Sequence, residues 1–161
     1  MSSTKHTIIA LVADKPGVLN RVASLFRRRS FNIESLAVGH AEQGGISRMT
    51  IVVDGTSATV EQLRKQLDKV TEVIRVSDIT QENTVDRELA LVKIKATSQT
   101  RSEIIQIVDI FRANIVDVSP DSLIVEVTGD EEKIESLFNL LRGFGIKEIA
   151  RTGRLAMTRG M

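Results

Sequence analysis

A chain of 161 residues carries one ordinary domain or two small ones. Its 42% hydrophobic and 27% charged residues fit a soluble globular protein, and 22 basic against 21 acidic side chains leave a formal charge of +1. That balance lacks the basic excess with which nucleic-acid binders replace phosphate counterions, and the absence of cysteine removes disulfides, thiolate metal sites and cysteine nucleophiles.

Met1 to His6 is polar, and the apolar run that follows, Thr7 to Val12, is too short for a signal peptide or a membrane span. A cytoplasmic protein with no membrane partner is expected. The β-branched run 7–12 reads as a buried strand, broken by Asp14-Lys15-Pro16-Gly17. From there Val18, Leu19, Val22, Ala23, Leu25 and Phe26 form one helical stripe that ends in Arg27-Arg28-Arg29. Asn32 to Val38 predicts a second strand, the glycines 39, 44 and 45 a hairpin loop, and alternating Met49, Ile51 and Val53 a third strand. Val60, Leu63, Leu67 and Val70 mark a second helix, and Val73 to Val76 a fourth strand.

The polar stretch 80–88 reads as a linker, and after it the order returns. Leu89 to Ile94 is a strand, Ile104 to Phe111 a helix, Ile115 to Val118 a strand, and Leu123, Val125 and Val127 alternate along another. Ile134, Leu137, Phe138 and Leu141 give a fourth helix, and Ile146 to Ala150 a last strand. An Asn-Ile pair follows the first helix of each half, at Asn32-Ile33 and Asn114-Ile115. The predicted fold class is therefore α+β, two ferredoxin-like βαββαβ domains in tandem. Each has an antiparallel four-stranded sheet with two helices on one face. The expected division is 1–79, linker 80–88 and 89–161. Halves of about 75 residues are near the lower limit for an independent core, so a partner is expected from size alone.

The chemistry concentrates where the first strand hands over to the first helix. Pro16 and Gly17 permit a tight turn, and the amides of Gly17, Val18 and Leu19 fall among first-turn donors that lack an intrahelical partner. At the positive end of the helix dipole such donors suit a carboxylate, each charge-assisted bond contributing about 1.5–3 kcal/mol. Asp14 either accepts from an α-ammonium group or caps the helix. Asn32 opens a strand that lies at the sheet edge in this topology. Its amide either reads a ligand or satisfies its own turn. The apolar edge Ile33 to Val38 invites pairing with a second copy, which would put the turn and Asn32 at a dimer seam.

The stretch DKPGVLNRVASLFRRRSFNIESLAVG with the strand SRMTIVV resembles an ACT domain. With RELALVKIKA, IFRANIVDVSPDSLIVEVTG and RTGRLAMTRG, nearly the whole chain resembles the small regulatory subunit of acetolactate synthase. The resemblance implies a regulatory subunit that activates a large catalytic subunit and confers feedback inhibition by valine, a branched-chain amino acid bound at an ACT homodimer interface. The alternative is an ACT-type regulator of another metabolic enzyme. It implies no cofactor in this chain, with thiamine diphosphate, magnesium and FAD on the catalytic partner. Motif by motif, it carries the effector site onto Asp14, Gly17, Val18, Leu19, Asn32 and Ile33. Some members have asparagine where this chain has Asp14, which makes the role of that carboxylate the open point. The second half has Ser98-Gln99-Thr100-Arg101 in place of the Pro-Gly turn, so no equivalent site is expected there.

Other readings fare poorly. RNA-recognition motifs share the βαββαβ order but stack bases on exposed sheet aromatics, whereas Phe26, Phe111 and Phe138 lie on apolar helix stripes. His6 and His40 lie outside any ligand or triad spacing and read as surface residues. Asp130, Glu131 and Glu132 open a helix, where they complement its dipole. No nucleophile–base pair and no metal set emerges, and a catalytic site of the chain's own is not expected.

Overall fold

The computed structural model describes residues 4–160, so the outermost ends of the expected domains lie outside the described residues. The first half runs β1 (Thr4–Ala13), α1 (Val18–Arg28), β2 (Ile33–His40), β3 (Ile46–Gly55), α2 (Ser57–Asp68) and β4 (Val73–Asp78). Its four strands lie in the order β2-β3-β1-β4, all antiparallel. The second half repeats the plan. β5 (Thr84–Lys95), α3 (Arg101–Ile110), β6 (Asn114–Val118), β7 (Ser122–Gly129), α4 (Glu131–Leu141) and β8 (Ile146–Arg151) form a sheet ordered β6-β7-β5-β8. The tandem ferredoxin-like fold is thus present in both halves.

Alternation sorts each strand into a core face and an open face. Ile8, Ala10 and Val12 of β1 meet Met49, Ile51 and Val53 of β3 on the side covered by Val18, Val22 and Phe26 of α1 and Val60, Leu63 and Leu67 of α2. Burying a Leu or Phe of this kind is worth about 1.5–3 kcal/mol, so these stripes dominate the local energetics. The second core repeats the scheme, with Val92, Ile94, Val125 and Val127 packed under Ile104, Val108, Leu137 and Phe138. The Arg151 guanidinium sits 5.5 Å from the centre of the Phe138 ring.

The Asn-Ile echo has a geometric cause. Ser30 and Arg112 are the two non-glycine residues with left-handed φ among the described residues, at 58° and 54°. In the first half Phe31 N donates to Phe26 O and Ser30 N to Arg27 O. In the second, Ala113 N donates to Val108 O and Arg112 N to Asp109 O. Both helices therefore stop in the same Schellman turn, and each Asn-Ile pair is what leaves it.

Three features differ from expectation. β5 begins at Thr84, so half of the stretch expected as linker is extended strand. A short strand, β9 (Leu155–Thr158), follows β8 and pairs with β5. By compactness the chain divides into residues 1–85 with 154–161, and residues 86–153. Residues 154–160 thus group with the first unit, whereas 89–161 was expected as one domain. Their anchors are Ala156, buried against Ile9 and Ile79, and Arg48 Nη2, which donates to the Ala156 carbonyl at 2.8 Å.

His6 corrects the sequence reading: it is buried, not at the surface. Its Nδ1 lies 2.9 Å from Asp78 Oδ2 and its Nε2 3.2 Å from Thr4 Oγ1. This has the order of a nucleophile–base–acid relay, but Thr4 and His6 sit two residues apart on one strand around a buried ring. The group links β1 to the end of β4. Among the described residues no set of three His, Asp or Glu side chains could hold a metal ion, and no helix is long and apolar enough to cross a membrane.

Candidate functional site

The turn between β1 and α1 is held from two sides. Asp14 N donates to Gly45 O at 2.9 Å, in the β2–β3 hairpin, and Ala13 N to Glu72 O at 2.8 Å, just ahead of β4. Gly17 occupies the N-cap position with φ 84°, in the left-handed region that glycine adopts without steric cost, and no side chain caps the helix. The capping role open to Asp14 is therefore not used. Its Oδ2 instead lies 3.4 Å from Nδ1 of the exposed His40, at the far end of β2.

The three predicted donors are not equivalent. Val18 N reaches back to Lys15 O at 3.4 Å, a long turn bond, and its side chain is buried in the core. Among the described residues the amides of Gly17 and Leu19 have no such partner. They are two of the open donors at the positive end of α1. Two apolar side chains stand half-exposed at this end of the unit, Leu19 at 45% and Val38 at 48%.

Arg21 was not singled out from sequence. It follows Gly17 by one helical turn, and a Cβ added to Gly17 would stand 3.8 Å from its Nη2. Its other nitrogen makes an ion pair with Glu72. A basic residue four positions after the glycine was the available signal, since i and i+4 share a helix face.

Asn32 and Ile33 lie elsewhere. Ile33 pairs with Val53 and His40 with Ser47, so β2 runs the full length of the sheet between them. Seven residue steps at ~3.3 Å put Ile33 about 23 Å from the His40 end, where Asp14 sits. Asn32 and Ile33 line a recess with Ala23, Phe26, Ser30 and Phe31, at the C-terminal end of α1. Asp14, Gly17, Val18 and Leu19 stand together at one end of the unit; Asn32 and Ile33 stand at the other.

The second unit offers no equivalent of the turn. Thr97 N donates to Thr100 Oγ1 and Thr100 N to Thr97 Oγ1, at 2.9 and 3.2 Å. Arg101 N donates to Thr97 O, and the Arg101 side chain bonds the carbonyls of Ser119 and Pro120. The N-cap amide, open at Gly17 in the first unit, is closed here at Thr100 by the chain itself.

Comparison with known proteins finds one family match on each half of the chain. The family model for the AHAS small subunit-like ACT domain matches residues 8–75, and that for the small subunit of acetolactate synthase matches residues 87–160. The probable acetolactate synthase small subunit of Archaeoglobus fulgidus is 59% identical over 156 residues, covering 97% of this chain and 98% of the relative. The acetolactate synthase small subunit of Bacillus subtilis is 52% identical over 157 residues, covering 97% and 91%. The crystal structure of the small subunit from Thermotoga maritima superposes with a TM-score of 0.90 at 44% identity, over 98% of this chain and 99% of that one. With matches on both halves, relatives at this identity over nearly the full length and the same tandem fold, the chain belongs to the acetolactate synthase small-subunit family.

Proposed function

We propose that this chain activates the large catalytic subunit of acetolactate synthase and confers feedback inhibition by valine, bound between two copies of its first domain. The observation that carries the reading is the division of the candidate site. The carboxylate-binding turn and the pair Asn32-Ile33 are about 23 Å apart along β2, whereas a single amino-acid unit spans at most ~3.6 Å of chain. Antiparallel pairing of two β2 edges about a two-fold axis near mid-strand brings Asn32 and Ile33 of one copy to the Asp14–Leu19 turn of the other. Each dimer then carries two complete sites.

In this arrangement the effector carboxylate meets the Gly17 and Leu19 amides, with Arg21 adding positive charge. Val18 contributes through its backbone. The ammonium group meets Asp14, displacing His40, and Asn32 of the second copy closes the polar end. The branched side chain rests among Leu19, Val38 and the second copy's Ile33. The cytoplasmic catalytic subunit supplies the chemistry, with thiamine diphosphate, magnesium and FAD. This chain supplies a bias between two states of the complex, worth about 1–3 kcal/mol, or ~5–150-fold in effector response.

Calorimetric titration with valine, leucine, isoleucine and alanine tests the binding half. Two further buried carbons at ~0.8 kcal/mol each make valine bind about 15-fold more tightly than alanine. Reconstitution with the large subunit tests the regulatory half: the effector-free chain raises synthase activity, and valine reverses the gain. A chain that binds none of the four amino acids, or that leaves the large subunit's rate unchanged, overturns the reading.

A further inference from the structure

The strand that carries Asn32 and Ile33 is irregular at one point. Ile33 pairs with Val53 and Ser35 with Val52, so Glu34 is an extra residue and β2 bulges there. The bulge turns both Ile33 and Leu36 toward the helix-covered core and leaves Ser35 on the open face of the sheet. Across that face Ser35, Val52 and Thr7 stand in one row, because Val52 also pairs with Thr7.

Arg154 bridges the row. Its backbone N donates to Ser35 Oγ at 2.7 Å, and its Nη1 donates to Thr7 Oγ1 at 3.1 Å. One residue thus joins the two outer members of a three-strand row whose middle member, Val52, is buried. Behind it the tail is fixed again, by Arg48 on the Ala156 carbonyl and by Arg159 N on Asn83 O at 2.8 Å. All of these residues belong to the first compact unit.

We infer that Arg154 is a positioning residue for the effector site: it clamps the β2 bulge through Ser35 and so fixes where Asn32 and Ile33 are presented. A bulge has an unpaired residue, and its ladder is locally interrupted, so an edge strand that contains one needs an outside partner to hold a single register. The Arg154 amide is that partner. The inference rests on the valine-site reading above and adds the tail to the parts that set effector affinity.

The test compares the full-length chain with Ser35→Ala, Ser35→Thr and Asp130→Ala. Ser35→Ala removes the acceptor for the Arg154 amide, and Ser35→Thr keeps a hydroxyl. Asp130→Ala removes the α4 N-cap, whose Oδ1 accepts from Lys133 N, and serves as a destabilised control in the second unit. One readout is the valine dissociation constant. The other is amide hydrogen exchange of β2 without ligand. Ser35→Ala is expected to weaken valine about fivefold, the value of one hydrogen bond, and to speed exchange in β2. Ser35→Thr stays within about twofold of the parent, and Asp130→Ala leaves both readouts unchanged despite its lower melting point. If Ser35→Ala exchanges β2 at the parent rate, or Asp130→Ala shifts valine affinity equally, the inference is overturned. If the parent binds no amino acid, the effector reading fails, and the exchange comparison alone decides whether Arg154 positions β2.

Discussion

Gly17 separates backbone geometry from ligand charge because two substitutions there share one cost and differ in another. At φ 84° any L-residue pays about 1–2 kcal/mol for left-handed backbone. Space is not the obstacle, since the nearest atom to an added Cβ is Arg21 Nη2 at 3.8 Å. Gly17→Ala and Gly17→Asp are therefore both expected to lower the melting temperature by roughly 2–8 °C. Only the aspartate adds charge beside the effector carboxylate. Two like charges about 4 Å apart repel by ~4 kcal/mol at an effective dielectric of 20, and the adjacent Arg21 cancels part of this. A net loss of ~2–3 kcal/mol makes valine about 30- to 150-fold weaker for Gly17→Asp, while Gly17→Ala stays within severalfold of the parent. Calorimetry on the purified chain gives both constants, and synthase assays give the phenotype: activation retained, valine inhibition lost. Equal valine affinity in Gly17→Asp and Gly17→Ala would refute the placement of the carboxylate at this turn.

Mixed dimers test the two-copy site. Gly17→Asp and Asn32→Ala homodimers should each lose tight valine binding. Equimolar mixing and reassembly should restore it at one site in each heterodimer, because one turn and one asparagine remain intact together; no recovery would show that each copy holds its own site. The Asp78 carboxyl is pushed up by burial, but hydrogen bonds from Thr80 and His6 outweigh this and hold it below the ordinary aspartate range. Its contribution to stability is then present above the unfolded-state value, about 4, and is lost as pH falls through the lower folded-state value. Denaturation profiles of Asp78→Asn should show a smaller drop in stability below pH 4 than the parent. Leu137→Ala, in the core of the second unit, should cost about 2–5 kcal/mol in denaturant titrations while valine affinity stays at the parent value. A matching loss of valine binding would mean that the two units do not act separately.

The elements readable from sequence were those whose burial follows a period. The stripe Val18, Val22, Phe26 and the alternation Met49, Ile51, Val53 are core in the structure because a helix or strand with those spacings has only one way to hide them. β9 defeats the same logic. In Leu155-Ala156-Met157 the large residues predict the buried face, yet they are 57% and 62% exposed while Ala156 is 6% exposed. The small side chain faces inward on Ile9 and Ile79, and the strand is held by bonds to its backbone, which leave no trace in hydropathy. His6 escaped for a related reason: its partner Asp78 is 72 residues away, and only the pairing of β1 with β4 brings them together.

The six expected site residues fall at two ends of the unit, and the sequence hints at that division only through the apolar edge strand that invites a second copy. The Pro-Gly turn carries its chemistry locally, in a left-handed glycine and two open amides, so Asp14 to Leu19 could be read from a few consecutive letters. Asn32 follows the helix by only a few positions, and proximity in sequence suggests proximity in space. The fold denies it, because α1 returns the chain to the opposite end of the sheet before β2 starts. A helix laid antiparallel to its strand always separates its own two ends by its length, here 11 residues at ~1.5 Å, about 16 Å. A small ligand can join those ends only when a second helix, rotated by half a turn, offers its far end to the near end of the first. In the proposed dimer, two-fold pairing at β2 supplies that second helix: the turn at the start of α1 in one copy then meets Asn32 and Ile33 at the end of α1 in the other.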